Sequence, residues 1–335
     1  MSFEEDTERL SSFQRNADLE KLLHDINSLL APAEQAALAQ YENQETAYPI
    51  IFIMGPFRSG TTLLMQWLAN MGVVAYPTNL LSRFYGAPVM GALIQMLLAD
   101  PRFNFRNEIL DFNSSIPFES ENGKTRGALA PNEFWYFWRR FLPFGKLDWL
   151  PDEELFRVVD QKRLVGELTT LTRIFAKPFA LKGLILNYNI PFLDTIFKKA
   201  LFVQVKRNPA DNVASVLEAR KRQFGTEKQW YSFRIPEYPL LKALDPVTQC
   251  AGQVYYINKA VTKGMAAVAE SRKMAVEYEA FCDRPEDVYN TLTEKLNNFG
   301  CVTDKAYQPD CRFEPTRQAS MDGDIHRALQ TFEGK

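Results

Sequence analysis

Apolar positions along this chain follow two alternating periods, which predict buried strands separated by helices. Ile50–Met54 is a continuous apolar run with the length of a strand that is buried on both faces. Short apolar runs of the same kind lie at 73–76, 179–181, 201–205 and 273–276. Segments with helical spacing follow at 61–70, 190–197, from Asn208-Pro209, at 247–269 and at 283–299. Because strands alternating with helices form parallel sheets, the sequence predicts an α/β fold with helices on both sides of the sheet.

The same pattern divides the chain into three parts. Residues 1–47 are predicted to be a helical segment, 48–300 the α/β domain and 301–335 a C-terminal segment. In the first part, helical spacing places Leu19, Leu22, Leu23, Ile26 and Leu30 on one face. Pro32 is expected to separate two short helices there, because proline interrupts helical hydrogen bonding.

The region at about 79–178 is the least regular and reads as a helical and irregular insert within the α/β domain. It is predicted to contain a helix at 89–98, a loop at 100–130, an aromatic run at 134–141 and a helix at 152–176. The sheet pattern then resumes.

Composition is that of an ordinary globular protein of 335 residues, with 46% hydrophobic and 24% charged residues and a net charge of −2. There is no basic excess of the kind that nucleic-acid binding requires. The first twenty residues are too polar for a secretory signal, and the apolar stretch at 87–99 is too short to span a bilayer. The four cysteines lack metal-ligand spacing, so we expect reduced thiols, a cytoplasmic protein and no bound metal: Cys250, Cys282, Cys301 and Cys311.

Candidate chemistry begins directly after the first strand. Gly55 and Gly60 bracket a loop that leads into a helix, and the loop amides and helix start together favour an anion. The spacing is that of a nucleoside-triphosphate loop, but Thr61 stands where such a loop carries its phosphate-binding lysine. Arg58 lies inside the loop instead. We therefore expect a P-loop-type sheet whose nucleotide does not react at a γ-phosphate.

Two later segments add groups for a phosphate. Arg207 follows the strand at 201–205, and Ser215 lies two turns into the next helix. Ligands bind at the carboxyl ends of strands in open α/β sheets, and an arginine with a hydroxyl suits a phosphate. A third segment carries Tyr278-Glu279 between a strand and the helix that starts near Pro285.

Taken together, these three segments resemble the sulfotransferase family over about residues 48–300. They match its P-R-S-G-T-T loop, its R-[DN]-P…S segment and its Y-E-x-[LF]…P segment in order. The resemblance implies transfer of a sulfonyl group from 3′-phosphoadenylyl sulfate to a hydroxyl or amine of a small-molecule, carbohydrate or lipid-linked acceptor. It implies that the 5′-phosphosulfate is held by Arg58, Ser59, Gly60, Thr61 and Thr62, and the 3′-phosphate by Arg207 and Ser215.

Candidate catalytic residues lie in three separate segments. Arg58 and Lys182, which ends the strand at 179–181, are candidates to stabilise charge on the leaving oxygen. The positions where the family usually has its base, near Thr78 and after Lys182, carry no histidine or carboxylate. We predict Glu133 as the base, because its aromatic neighbours would desolvate the carboxylate. The remaining candidates are Glu119, Glu121, Glu167 and His24; His326 is expected on the surface, as are Arg220 and Lys221.

Two other functions stay open at this point. One is an ATP-dependent phosphotransferase, although neither the loop lysine nor a magnesium-binding aspartate is present. The other is a non-catalytic nucleotide-binding protein that retains the same scaffold. The aromatic run at 134–141 suggests an apolar or sugar-stacking wall for the acceptor.

Overall fold

The computed structural model describes residues 9–41, 48–106, 109, 116–302, 307, 312–316 and 323–333. Cys311 and parts of the predicted terminal segments lie outside these ranges. Within them, no helix is long and apolar enough to cross a membrane.

A four-stranded parallel sheet forms the centre of the fold, which confirms the predicted α/β class. Its strands are β1 (Ile50–Met54), β4 (Phe179–Lys182), β5 (Ala200–Lys206) and β6 (Lys273–Glu277). Two short strands, β2 (Ser120–Glu121) and β3 (Lys124–Thr125), form a separate hairpin. The central sheet has the order β4, β1, β5, β6. Ile50 pairs with both Phe179 and Ala200, so these strands share one carboxyl edge. That edge is where ligands bind in such sheets.

Helices cover both faces of the sheet. They are α1 (Ala17–Tyr41), α2 (Thr61–Met71), α3 (Pro88–Ala99), α4 (Trp135–Phe141), α5 (Asp152–Val158), α6 (Gln161–Ile174), α7 (Ile190–Ile196), α8 (Pro209–Phe224), α9 (Tyr238–Leu241), α10 (Pro246–Ala267), α11 (Tyr278–Asp283), α12 (Pro285–Asn297) and α13 (Gly323–Gln330). Side chains of β1 alternate between two cores: Ile50, Phe52 and Met54 face α6, α7, α8 and α10, whereas Ile51 and Ile53 face α2 and α12. Burial of each such side chain stabilises the folded state by about 1.5–3 kcal/mol. This explains why β1 is apolar throughout.

Two predicted helix boundaries were wrong. Pro32 does not separate two helices, because α1 continues through it. Proline removes only one hydrogen bond, and buried contacts on both sides of it, at Asn27 and Glu34, hold the helix against the insert. The predicted helix at 152–176 is two helices, because Asp160 caps α6 by accepting a hydrogen bond from the Arg163 amide at 3.0 Å.

Two further expectations also changed. Residues 73–76 form no ladder strand; Ala75 makes a single bridge to Phe179. The inward face of α1 is not the predicted leucine stripe, since Leu22 is 56% exposed whereas Asn27 and Glu34 are buried. Polar anchoring replaces apolar packing at these positions of α1.

Glu34 is the stronger of these anchors. Its carboxylate accepts hydrogen bonds from the amides of Val89 at 3.0 Å and Met90 at 2.9 Å, at the start of α3. Burial raises the pKa of the Glu34 carboxyl to about 7, although the two amides oppose this effect. Asn27 similarly accepts from the Gly86 amide and donates to the Arg83 carbonyl. The N-terminal helix is thus fixed to the insert by buried hydrogen bonds.

Candidate active site

The loop after β1 has backbone conformations that few residues adopt. Gly55, Arg58 and Gly60 have φ angles of 139°, 66° and 98°. A Cβ at Gly60 would lie 2.2 Å from the Tyr278 ring, so only glycine fits there. No side chain caps the start of α2 at Thr61. The first amides of α2 therefore remain available to an anion at the carboxyl edge of the sheet.

Buried polar side chains from distant segments hold this loop. Asn187 both donates to the Gly55 carbonyl (2.8 Å) and accepts from the Gly55 amide (3.0 Å). Asn212 donates to the Phe57 carbonyl at 2.9 Å. Arg207 donates to the Arg58 carbonyl at 2.7 Å. Sequence reasoning missed Asn187 and Asn212, because asparagine in a loop or helix gives no signal of its partner.

Ser59 turns toward its own loop. Its hydroxyl donates to the Pro56 carbonyl at 2.7 Å, and its amide approaches the same oxygen at 3.3 Å. Both polar groups of Ser59 therefore stabilise the turn. A role of Ser59 toward an anion stays a prediction, as do those of Gly60, Thr61 and Thr62.

The two predicted phosphate segments meet at Arg58. Its Nε lies 3.2 Å from the Ser215 Oγ, across 157 residues of sequence. Arg207 is 8% exposed, lies over the Tyr278 ring at 4.8 Å, and donates to the Thr316 carbonyl at 2.5 Å. Its Nε is buried and has no hydrogen-bond partner. Burial lowers the pKa of the Arg207 guanidinium. Buried donors are normally hydrogen-bonded, so this Nε is a candidate contact for a ligand.

Lys182 connects this loop to the insert. Its Nζ donates to Thr62 Oγ1 at 2.6 Å and to Glu133 Oε1 at 3.0 Å. Its side chain is 5% exposed, so Lys182 is not a surface lysine. The Trp138 indole donates to the Lys182 carbonyl at 3.2 Å and ties α4 to this end of β4. Lys182 thus brings the insert carboxylate and the first turn of α2 into one cluster.

The predicted desolvation of the Glu133 carboxylate by its aromatic neighbours was wrong. The aromatic neighbours do not enclose the carboxylate, since its side chain is 43% exposed. Phe134 has a φ of 55°, which turns the chain, and the Phe134, Phe137 and Trp138 side chains enter the core instead. Glu133 remains on the cleft side, paired with Lys182.

The other candidate carboxylates and histidines occupy different places. Glu167 is fully buried beneath α1 and pairs with Arg140 and Arg163. Glu121 and His24 are exposed, on β2 and α1 respectively. None of these three is in contact with Lys182 among the described hydrogen bonds.

Arg220 does not form the solvated surface that its sequence position suggested. It is fully buried and donates to Gln249 and Gln253, both at 2.9 Å. Lys221, next to it, is exposed and pairs with Glu227. The arginine therefore joins α8 to α10.

A hairpin from the insert reaches the Lys182 cluster. β2 and β3 pair antiparallel, and Asn122-Gly123 forms the turn. A Cβ at Gly123 would lie 3.0 Å from Glu133 Oε1 and 3.7 Å from Thr62 Oγ1. Gln66 of α2 holds the incoming strand through the carbonyls of Pro117 and Glu119, both at 2.9 Å. The sequence analysis predicted only a loop at 100–130 and missed this hairpin, although an Asn-Gly dipeptide is typical of a two-residue hairpin turn.

Two connected cavities open beside Glu133. The inner pocket, about 50 Å³, is lined by Phe57, Asn122, Glu133, Trp135, Trp138, Lys182, Leu184, Ile185, Tyr231, Ser232 and Phe233. The outer groove, about 610 Å³, shares six of these residues and extends to Lys124, Lys146 and Trp230. On the other side, a groove of about 740 Å³ includes Leu19 and Leu23 of α1 as well as Glu133. A substrate in the inner pocket would contact both Lys182 and Glu133.

Strained backbone is concentrated around these cavities. Among the described residues, five non-glycine residues have positive φ. Four of them lie in the loop after β1 or in and next to the lining of the inner pocket: Arg58, Asn122, Phe134 and Ser232. Such conformations cost about 1–3 kcal/mol each and cluster at functional sites. Among the described residues, no group of three metal-ligating side chains occurs.

Comparisons with known proteins agree with this geometry. A family model described as "Sulfotransferase family" matches residues 49–298. Among solved structures, sulfotransferase STF9 from Mycobacterium avium is 16% identical and covers 95% of this chain and 77% of its own, with a TM-score of 0.50. Sulfotransferase STF1 from Mycobacterium tuberculosis H37Rv is 15% identical over 89% of this chain and 75% of its own (TM-score 0.48). A comparison with curated proteins finds no match.

Proposed function

This chain belongs to the sulfotransferase family, and we propose that it moves a sulfonyl group from 3′-phosphoadenylyl sulfate to a hydroxyl group of a small acceptor. The observation that carries the proposal is the contact of Lys182 with both Thr62 and Glu133. This contact supports the proposal, because a cation and a carboxylate lie together between the loop at 55–62 and the inner pocket.

The residues present fit the donor. Its 5′-phosphosulfate would lie on the uncapped start of α2, beside Arg58 and Thr62. Its 3′-phosphate would accept hydrogen bonds from Ser215 and from the unpartnered Arg207 Nε. When bound, the donor supplies an activated sulfonyl group on a phosphate leaving group.

The chain's own groups then act on the transfer. The acceptor oxygen forms a bond to sulfur while the bond from sulfur to the bridging oxygen breaks, which leaves adenosine 3′,5′-bisphosphate. Lys182 and Arg58 stabilise the negative charge that grows on the bridging oxygen. The inner pocket holds the acceptor in line, so that orientation itself lowers the barrier.

Glu133 takes the proton from the acceptor hydroxyl in this proposal. Its carboxylate is exposed to the inner pocket and held by Lys182, which fixes its position. Asn122 lies beside it with a carboxamide that has no hydrogen-bond partner. We assign Asn122 to the acceptor hydroxyl, which it would orient toward Glu133.

No metal enters this mechanism. The donor carries no triphosphate whose charge would require magnesium, and Arg58, Lys182 and the α2 amides supply the positive charge. We also propose a cytoplasmic location, because the buried cysteines Cys250 and Cys282 are free thiols, the state that a reducing compartment maintains.

Ligand binding separates this function from its alternatives. Adenosine 3′,5′-bisphosphate should raise the midpoint of thermal unfolding more than ATP does, with or without magnesium. Equal or better protection by ATP would sink the donor assignment and favour a phosphotransferase. Mass spectrometry of acceptors incubated with the donor then tests for transfer: binding without any sulfated product would identify a non-catalytic nucleotide-binding protein.

A further inference from the structure

The outer groove carries a charge pattern that the proposed sulfonyl transfer does not use. Its lining includes the ammonium groups of Lys124 and Lys146 and two carboxylates, Glu133 and Asp148. Both carboxylates are already paired, Glu133 with Lys182 and Asp148 with Arg139. The two lysines therefore add positive charge to the groove that these carboxylates do not neutralise.

The inner pocket has a different character. Most of its lining residues are aromatic or aliphatic, and its volume of about 50 Å³ leaves room for a small group. Its polar atoms come from a few residues at one end, chiefly Asn122, Glu133 and Lys182. A hydroxyl at the tip of an apolar stem satisfies these groups while the stem packs against aromatic side chains.

Two lysines make the outer groove selective for charge. Lys146 is exposed and has no ion pair among the described contacts. The ammonium of Lys124, the first residue of β3, lies over the Phe13 ring at 5.0 Å and makes no ion pair among the described contacts. An ammonium without a carboxylate attracts an anion through Coulomb interaction, and a partly enclosed groove strengthens this attraction.

We propose that the acceptor is a small amphipathic alcohol or phenol with an anionic group at the end opposite its hydroxyl. The hydroxyl enters the inner pocket beside Asn122 and Glu133, and the carboxylate or phosphate remains in the outer groove with Lys124 and Lys146. This inference rests on the proposed function, because it gives that site its acceptor.

Three probes with one phenol test the charge requirement: 3-(4-hydroxyphenyl)propionate, its carboxamide and the corresponding phosphonate. Binding is measured by calorimetry on the protein saturated with adenosine 3′,5′-bisphosphate, which needs no turnover. We expect at least one anion to bind roughly tenfold more tightly than the amide, the combined scale of two partly exposed charge contacts. The preference should shrink in 0.5 M salt, because salt screens exposed charges. The relative affinities of the carboxylate and the phosphonate then identify which class of anion the groove prefers.

Variants connect the preference to the two lysines. In Lys124→Gln/Lys146→Gln the ratio of anion to amide affinity should fall toward one. Lys198→Gln is the matched control, since Lys198 is exposed just before β5 at the opposite edge of the sheet, and it should keep the ratio. Equal affinity for anion and amide in the unaltered protein, binding of neither, or a preference that survives in the double variant would each overturn the inference. Tight anion binding without sulfated product would instead count against the proposed function.

Discussion

The two walls of the candidate site differ in how they are built. The donor wall, which is the loop at 55–62 with Arg207 and Ser215, consists of a strand end and helix starts around the sheet. The acceptor wall, which is residues 116–138 with 230–234, consists of a short hairpin and irregular segments. Most contacts that fix the donor wall are hydrogen bonds to its backbone, whereas the acceptor wall presents side chains to a cavity. A wall whose groups are backbone atoms requires particular residues within a few positions, so it has a local sequence motif. A wall of side chains from several segments has no such motif.

The buried face of each wall shows the same contrast. Asn187, Asn212 and Arg207 bind three successive parts of the donor loop. The acceptor wall leaves the Asn122 carboxamide without a partner. A hydrogen-bond network in which every group has a partner holds one geometry, whereas a buried polar group without a partner is available to bind a ligand. Changes to the two walls should therefore separate donor binding from acceptor chemistry.

The largest effect is expected at the junction of the walls. Glu133→Gln removes the proposed proton acceptor but keeps its size, so turnover should fall by about 10²- to 10⁴-fold with donor affinity nearly unchanged. Steady-state rates and calorimetry measure the two quantities. Glu121→Gln, on the exposed strand of the same hairpin region, should remain active. Full activity of Glu133→Gln would remove Glu133 from the chemistry.

Arg207→Ala tests the donor wall alone. It should weaken binding of adenosine 3′,5′-bisphosphate by about 2–5 kcal/mol, the cost of removing one partner from a buried charge pair. Acceptor binding should change little. Arg207→Lys should be intermediate, because lysine keeps the charge but loses the guanidinium fork. An unchanged donor Kd would exclude Arg207 from the donor site.

Arg58→Ala should act on turnover more than on folding. Loss of one charge contact in the transition state lowers the rate by about a hundredfold. The loop should persist, because its contacts to Asn187, Asn212 and Arg207 go to backbone atoms. Thermal unfolding checks the fold and donor-dependent transfer checks the rate. A fully active variant would remove Arg58 from the mechanism and leave the charge to Lys182 and the α2 amides.

The smallest effect on the site is expected from pH, which acts through Glu34 of α1, the helix that supports the acceptor wall. Glu34 has a folded pKa of about 7, raised from 4.5, so the folded state binds this proton more tightly than the unfolded state does. Protonated Glu34 therefore stabilises the folded state fully below about pH 4.5. This stabilisation is lost as pH rises to about 7, which lowers the free energy of unfolding by at most about 3 kcal/mol. Arg140 and Glu167 are the nearby charges that modulate it.

Denaturant unfolding between pH 4.5 and 8 measures this change. Glu34→Gln should flatten the slope in that window, since the amide does not titrate. The acceptor KM should rise with pH more than the donor Kd, because α1 lines the groove beside Glu133 but does not border the donor loop. A donor Kd that changes equally would show that the two walls are coupled through α1.

Sequence alone determined the α/β class, the strand at 50–54 and the chain positions of the donor motifs. Each depends on a local rule: a run of apolar residues for a strand buried on both faces, glycine for positive φ at Gly55 and Gly60, and proline at the start of α8. The roles of Arg58, Ser215 and Arg207 toward the donor remain predictions, although the structure brings the three together.

Only the tertiary structure decided which polar side chains are buried and what they meet. Glu133 and Lys182 are 49 residues apart, and nothing local indicates their 3.0 Å contact. The burial of Arg220, the carboxylate anchor at Glu34 and the clamp at Asn187 likewise depend on partners from distant segments. The physical reason is that a motif specifies backbone geometry within a few residues, whereas the partner of a buried charge depends on how distant segments pack together.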